Sequence, residues 1–70
     1  MPNDKRLWIS RDEGGDAALW LTKEQPQPYR NGFFVPDGNE FWRMWLVEPM
    51  RRALGLPDPK PGECLEVRRG

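Results

Sequence analysis

The chain reads as an α+β protein, mainly β: a small antiparallel sheet of four to five strands, with one short helix before the last strand. Three observations predict this. Two short apolar runs, Leu7-Trp8-Ile9-Ser10 and Ala18-Leu19-Trp20-Leu21-Thr22, flank the polar stretch Asp12-Glu13-Gly14-Gly15-Asp16, the pattern of a hairpin. An aromatic stretch, Phe41–Val47, follows the turn signal Pro36-Asp37-Gly38-Asn39 and stops before Pro49. The closing segment Glu63–Arg69 alternates polar with apolar residues, the signature of a strand with one wet face.

The first strand is expected over Arg6–Arg11 and the second over Ala18–Lys23. Period two places Leu7, Ile9, Leu19 and Leu21 on one face and Trp8, Ser10, Trp20 and Thr22 on the other. A half-wet hairpin carries polar residues on its outer face. This one carries two indoles, so both faces must be covered or one is kept for a partner. Gly14 and Gly15 supply the positive-φ positions that the loop needs. Gln25-Pro26-Gln27-Pro28 is expected to break any ladder, because proline lacks the amide hydrogen. Tyr29-Arg30-Asn31-Gly32 then turns into a third run, Phe33-Phe34-Val35.

Residues 40–47 admit two readings. Asn39 could cap a helix, but the aromatic and branched content and the bounding turn and proline favour a strand. As a strand it sends Phe41, Trp45 and Val47 to one face and Trp42, Met44 and Leu46 to the other. Pro49–Leu54 reads as a short helix, with proline at its first position and Gly55 stopping it. Met50, Ala53 and Leu54 are its expected buried stripe, leaving Arg51 and Arg52 in water. Leu56–Gly62 contains three prolines and is an extended connector. With Leu65 and Val67 inward, Glu63–Arg69 suits a sheet edge.

Seventy residues make one domain near the lower limit for folding without staples, with residues 1–5 expected to fray. A single cysteine, Cys64, precludes an internal disulfide, so stability must come from apolar burial. No apolar run approaches the ~20 residues of a membrane span, and no charged-then-apolar leader opens the chain. The cytoplasm is the expected compartment. Eleven basic residues balance eleven acidic ones, which argues against a general polyanion binder and equally against an acidic DNA mimic.

Catalytic chemistry is poorly provisioned. There is no histidine, and Ser10, Thr22 and Cys64 are the sole residues of their types. Cys64 is flanked by carboxylates that disfavour a thiolate. Asp12, Glu13 and Asp16 share one turn, where glycosidase chemistry needs carboxyls held across a cleft, and their spacing is not that of a calcium loop. The expectation is no enzyme, no metal and no cofactor.

Binding chemistry is better provisioned. Four Trp exceed what one short helix can roof, so at least one aromatic edge should stay partly open. Interfaces concentrate Trp, Tyr, Met and Arg at their energetic centres. Trp42, Arg43 and Trp45 are therefore the expected protein-binding residues, with Arg51 and Arg52 as a rim. Trp8 and Trp20 form an alternative binding face. Stacking of single-stranded nucleic acid on that face and a homodimer are the competing readings.

The opening Leu7-Trp8-Ile9-Ser10-Arg11-Asp12, a glycine-containing turn and Leu19-Trp20-Leu21 resemble a group of small phage- and prophage-encoded proteins. The resemblance continues through Pro28-Tyr29-Arg30-Asn31-Gly32-Phe33 and Leu56-Pro57 into Glu63–Val67. It implies fold and origin, and a way of working common to compact phage proteins: occupying a surface on a host protein complex, as anti-CRISPR proteins do on a CRISPR-Cas component. The chain departs from that outline at Phe41–Val47 and at the arginine-bearing helix, where a specific target would be read.

Overall fold

The computed structural model describes residues 5–35 and 41–68. Its elements, in chain order, are β1 (Arg6–Arg11), β2 (Ala17–Thr22), β3 (Gln27–Tyr29), β4 (Gly32–Phe34), β5 (Phe41–Leu46), α1 (Glu48–Ala53) and β6 (Glu63–Glu66). The fold is mostly β, with one short helix before the last strand, as expected. A four-stranded antiparallel sheet has the order β5-β2-β1-β6, and β3 and β4 form a separate two-stranded ribbon. The expected turn at Pro36–Asn39 and the far end of the last strand lie outside the described residues. Among the described residues no helix is long and apolar enough to cross a membrane.

The expected hairpin is present, with its residues on the expected faces. Trp8 lies opposite Trp20, and Ile9 opposite Leu19. The pleat then makes two cores, one on each face of the sheet. Trp8, Ala18, Trp20 and Val35 form the first, with Phe33 and Cys64 against it. Ile9, Ala17, Leu19 and Leu46 form the second, with Leu7, Met44, Leu56, Leu65 and Val67 packed on them. Both faces of the hairpin are covered within one chain.

Two sequence expectations need correction. Gln25–Pro28 was expected to end all pairing, yet Gln27–Tyr29 pairs with Gly32–Phe34. Pro28 is tolerated because a two-stranded ribbon has two edges, and a residue that lacks an amide hydrogen can face outward there. Arg30 turns the ribbon at φ 56°, a left-handed conformation uncommon for a residue with a Cβ. Its guanidinium lies 5.3 Å from the Tyr29 ring centroid. The ribbon roofs the indole face, delivering Phe33 and Val35 to it.

The second correction concerns α1. Met50, Ala53 and Leu54 do not form a buried stripe, and no residue of the helix is buried. Arg51, expected in water, is its most enclosed arginine, with 12% of its side chain exposed. Six residues make under two turns, too little surface to cover a sheet face. Its charged side chains tie it to the rest of the chain, Glu48 lying 3.7 Å from Arg11 and Arg51 3.9 Å from Asp58. Arg51 donates to both Glu48 carboxylate oxygens at 2.6–3.1 Å and to the Leu56 carbonyl at 2.8 Å. The connector supplies the missing roof through Leu56.

Arg11 holds that connector in place. Its Nε donates to the Pro59 carbonyl at 2.8 Å and Nη1 to the Gly15 carbonyl at 2.7 Å. Nη2 meets Asp58 Oδ1 at 2.7 Å. One guanidinium thus joins the β1–β2 turn to the connector, and Pro59 beside it is fully buried.

The Glu48 carboxyl is lowered from its ordinary 4.5 to about 2, first by the Arg51 hydrogen bonds and then by the charges of Arg51, Arg52 and Arg11. A carboxyl depressed in the folded state contributes stability that is present above its unfolded value and lost as pH falls through its folded one. Urea midpoints should therefore decline between about pH 4.5 and pH 2. Glu48→Gln should flatten that part of the profile, and a variant profile parallel to wild type would refute the assignment.

Candidate functional site

Exposed aromatic side chains lie on the ribbon, at Tyr29 and Phe34, and on β5, which carries three of them. This strand is bordered by β2 on one side and has no strand on the other among the described residues. An edge strand leaves side chains on both faces with neighbours on one flank alone, and the coverings reach only part of it. The ribbon covers the middle of the indole face, and the connector covers Ile9, Leu19 and Leu46. Phe41 and Trp42 are about half exposed, and Trp45 is 55% exposed.

The register divides the expected site residues between two faces. Trp20 lies opposite Arg43 and Ala18 opposite Trp45, whereas Leu21 lies opposite Trp42. Arg43 and Trp45 therefore share the indole face, and Trp42 points to the other. Arg43 is held between rings, its guanidinium carbon 4.9 Å from the Trp45 centroid and 5.3 Å from that of Trp20. Phe41 completes the group at 5.5 Å from Trp20. Phe41, Arg43 and Trp45 thus form one continuous aromatic and cationic surface. Phe41 was not among the expected site residues, although strict alternation had already put it on the face of Trp45.

Trp8 and Trp20 are not a binding face. They are 7% and 2% exposed, and their indole hydrogens are committed. Trp20 Nε1 donates to Ser10 Oγ at 2.8 Å and Trp8 Nε1 to the Thr22 carbonyl at 3.2 Å. Neither is a stacking platform for a base. Arg51 likewise leaves the expected rim, since its donors are taken by Glu48 and Leu56. Arg52 remains, with 74% of its side chain exposed.

A cleft of about 110 Å³ opens beside Trp45, walled by Asp12, Asp16, Gly32, Phe33 and Arg43. That is below the ~300 Å³ of typical small-molecule pockets. Asp12 in its wall serves the turn, its Oδ1 accepting from the Asp16 amide at 2.9 Å. Burial pushes the Cys64 thiol up to about 11, against a smaller opposing effect of Gln25. The thiolate is correspondingly scarce at neutral pH, and burial rather than the flanking carboxylates is the main cause.

No family model, no curated protein and no solved structure matches this chain.

Proposed function

We propose that the protein is a non-enzymatic binding module of phage type, which docks the Phe41–Arg43–Trp45 surface of β5 onto a host protein complex in the cytoplasm and blocks it sterically, in the manner of anti-CRISPR proteins. The supporting observation is the coexistence on a sheet edge of two half-exposed aromatic rings, Phe41 and Trp45, with an arginine held against Trp45. Such side chains dominate interface energetics because they bury large area and lose little conformational freedom on binding. Arg43 is already oriented by Trp20 and Trp45, so docking need not order it again. The balanced charge of the chain suits a protein partner better than a polyanion.

The test is affinity capture from host lysate, followed by titration of the recovered complex with wild type and with an Arg43→Ala/Trp45→Ala variant. Hot-spot truncations cost about 2 kcal/mol or more each, roughly thirtyfold in Kd, so the double variant should lose the complex while retaining its near-ultraviolet circular dichroism. Trp42→Ala, on the opposite face, should weaken the affinity far less than the double variant. Equal recovery by the double variant would remove this surface from the interface. Tight low-salt binding to a single-stranded oligonucleotide would overturn the protein-partner reading altogether.

A further inference from the structure

We propose that β5 is also the seam of a homodimer, in which two copies pair antiparallel edge to edge with Met44 on the two-fold axis. The inference rests on the reading of β5 as an interface and adds the occupant of its backbone edge. An unpaired strand edge offers a row of amide and carbonyl groups to another strand. The two edges of this sheet differ in how they meet that hazard. β6 is four residues long with a glutamate at each end, and one of them, Glu66, lies 3.6 Å from Arg68. β5 is six residues long, Phe-Trp-Arg-Met-Trp-Leu, and carries one charge.

Side-chain alternation restricts how β5 can pair with itself. Residues opposite each other across an antiparallel pair point to the same face, so an isologous pairing centres on a residue. Centred on Arg43, it sets two guanidinium groups directly opposite, which is destabilising. Centred on Met44, it sets each Arg43 opposite the second copy's Trp45, and each Trp42 opposite the second copy's Leu46. The cation then meets an aromatic face, and the opposite side of the seam is apolar throughout. Zero formal net charge leaves no overall repulsion between copies. Dimerisation in this register also places both Phe41–Arg43–Trp45 groups on one side of a continuous eight-stranded sheet, twice the four strands of a single copy. The docking surface for another protein is then a two-copy surface.

Sedimentation of the wild-type chain tests the dimer without any substitution: the weight-average mass should rise from 8.2 kDa toward twice that value with concentration. Cysteine cross-linking in a Cys64→Ser background tests the register. Opposed residues have Cα atoms about 4.5–5.5 Å apart, within disulfide reach, so Met44→Cys should cross-link under mild oxidation and Arg43→Cys should not. A chain that stays monomeric into the high-micromolar range overturns the dimer and leaves the edge for a strand of another protein. That outcome does not touch the docking reading, which stands or falls on the Arg43→Ala/Trp45→Ala titration. A dimer cross-linked through position 43, or through neither position, overturns the register.

Discussion

Trp20→Ala should lower unfolding stability by about 3–5 kcal/mol, the range for truncating a buried Trp or Phe in a packed core. A domain of 70 residues holds roughly 0.05–0.15 kcal/mol per residue, so the loss approaches the whole. Trp20 is 2% exposed, and it joins the core to the binding surface. It packs with Trp8, Ala18 and Val35, and it carries both Phe41 and Arg43 on its ring. Removing it opens a void beneath the β3–β4 ribbon and takes away the support of the Phe41–Arg43–Trp45 group. Urea denaturation followed by circular dichroism should show an early or absent transition. Ser10→Ala separates the polar contribution, because it leaves the indole hydrogen of Trp20 buried without its acceptor, at about 1–3 kcal/mol. A Trp20→Ala chain with a wild-type midpoint would refute the assignment of this indole to the core.

Arg11→Ala should cost about 3 kcal/mol or more, chiefly through the two backbone carbonyls it serves. Hydrogen bonds to a charged group contribute about 1.5–3 kcal/mol each, and two of them tie Gly15 and Pro59 together from 16%-exposed ground. The ion pairs with Asp58 and Glu48 add little, because those carboxylates are 61% and 42% exposed and solvent screens them. Arg11→Lys should not restore the loss, since one ammonium cannot reproduce a planar fork reaching three acceptors. The defect should be local at first, with faster hydrogen exchange and proteolysis in the 56–62 connector preceding global unfolding. Full protection of that connector in Arg11→Ala would show that Leu56 and Pro59 hold it without the guanidinium.

These two side chains show why parts of the fold were legible and parts were not. Trp20 was assignable to a face because period two is a property of the strand itself, and one shift of register would exchange Ile9 and Leu19 with the indoles. The same rule separated Trp42 from Trp45 and put Phe41 with Trp45. Arg11 carried no comparable signal: its partners Pro59 and Asp58 lie 48 and 47 residues away, and nothing local marks that encounter. α1 failed for a related reason. Its apolar spacing is genuine, but a helix of six residues has too little surface to roof a sheet, and its charged groups meet Arg11 and Asp58 instead. The β3–β4 ribbon was hidden by Pro28, which forbids a central strand but not an edge.

By itself the sequence determined the two hairpin strands, their faces and the need to cover both sides of the Trp8–Trp20 hairpin, because alternation and turn chemistry act between near neighbours. Tertiary structure alone decided what does the covering. The ribbon closes over Trp8 and Trp20, the connector closes over Ile9, Leu19 and Leu46, and neither covers Phe41, Trp42 or Trp45 of β5. Exposure depends on which distant segment arrives above a residue, and that is set by the whole chain's packing rather than by the residue's neighbours in sequence.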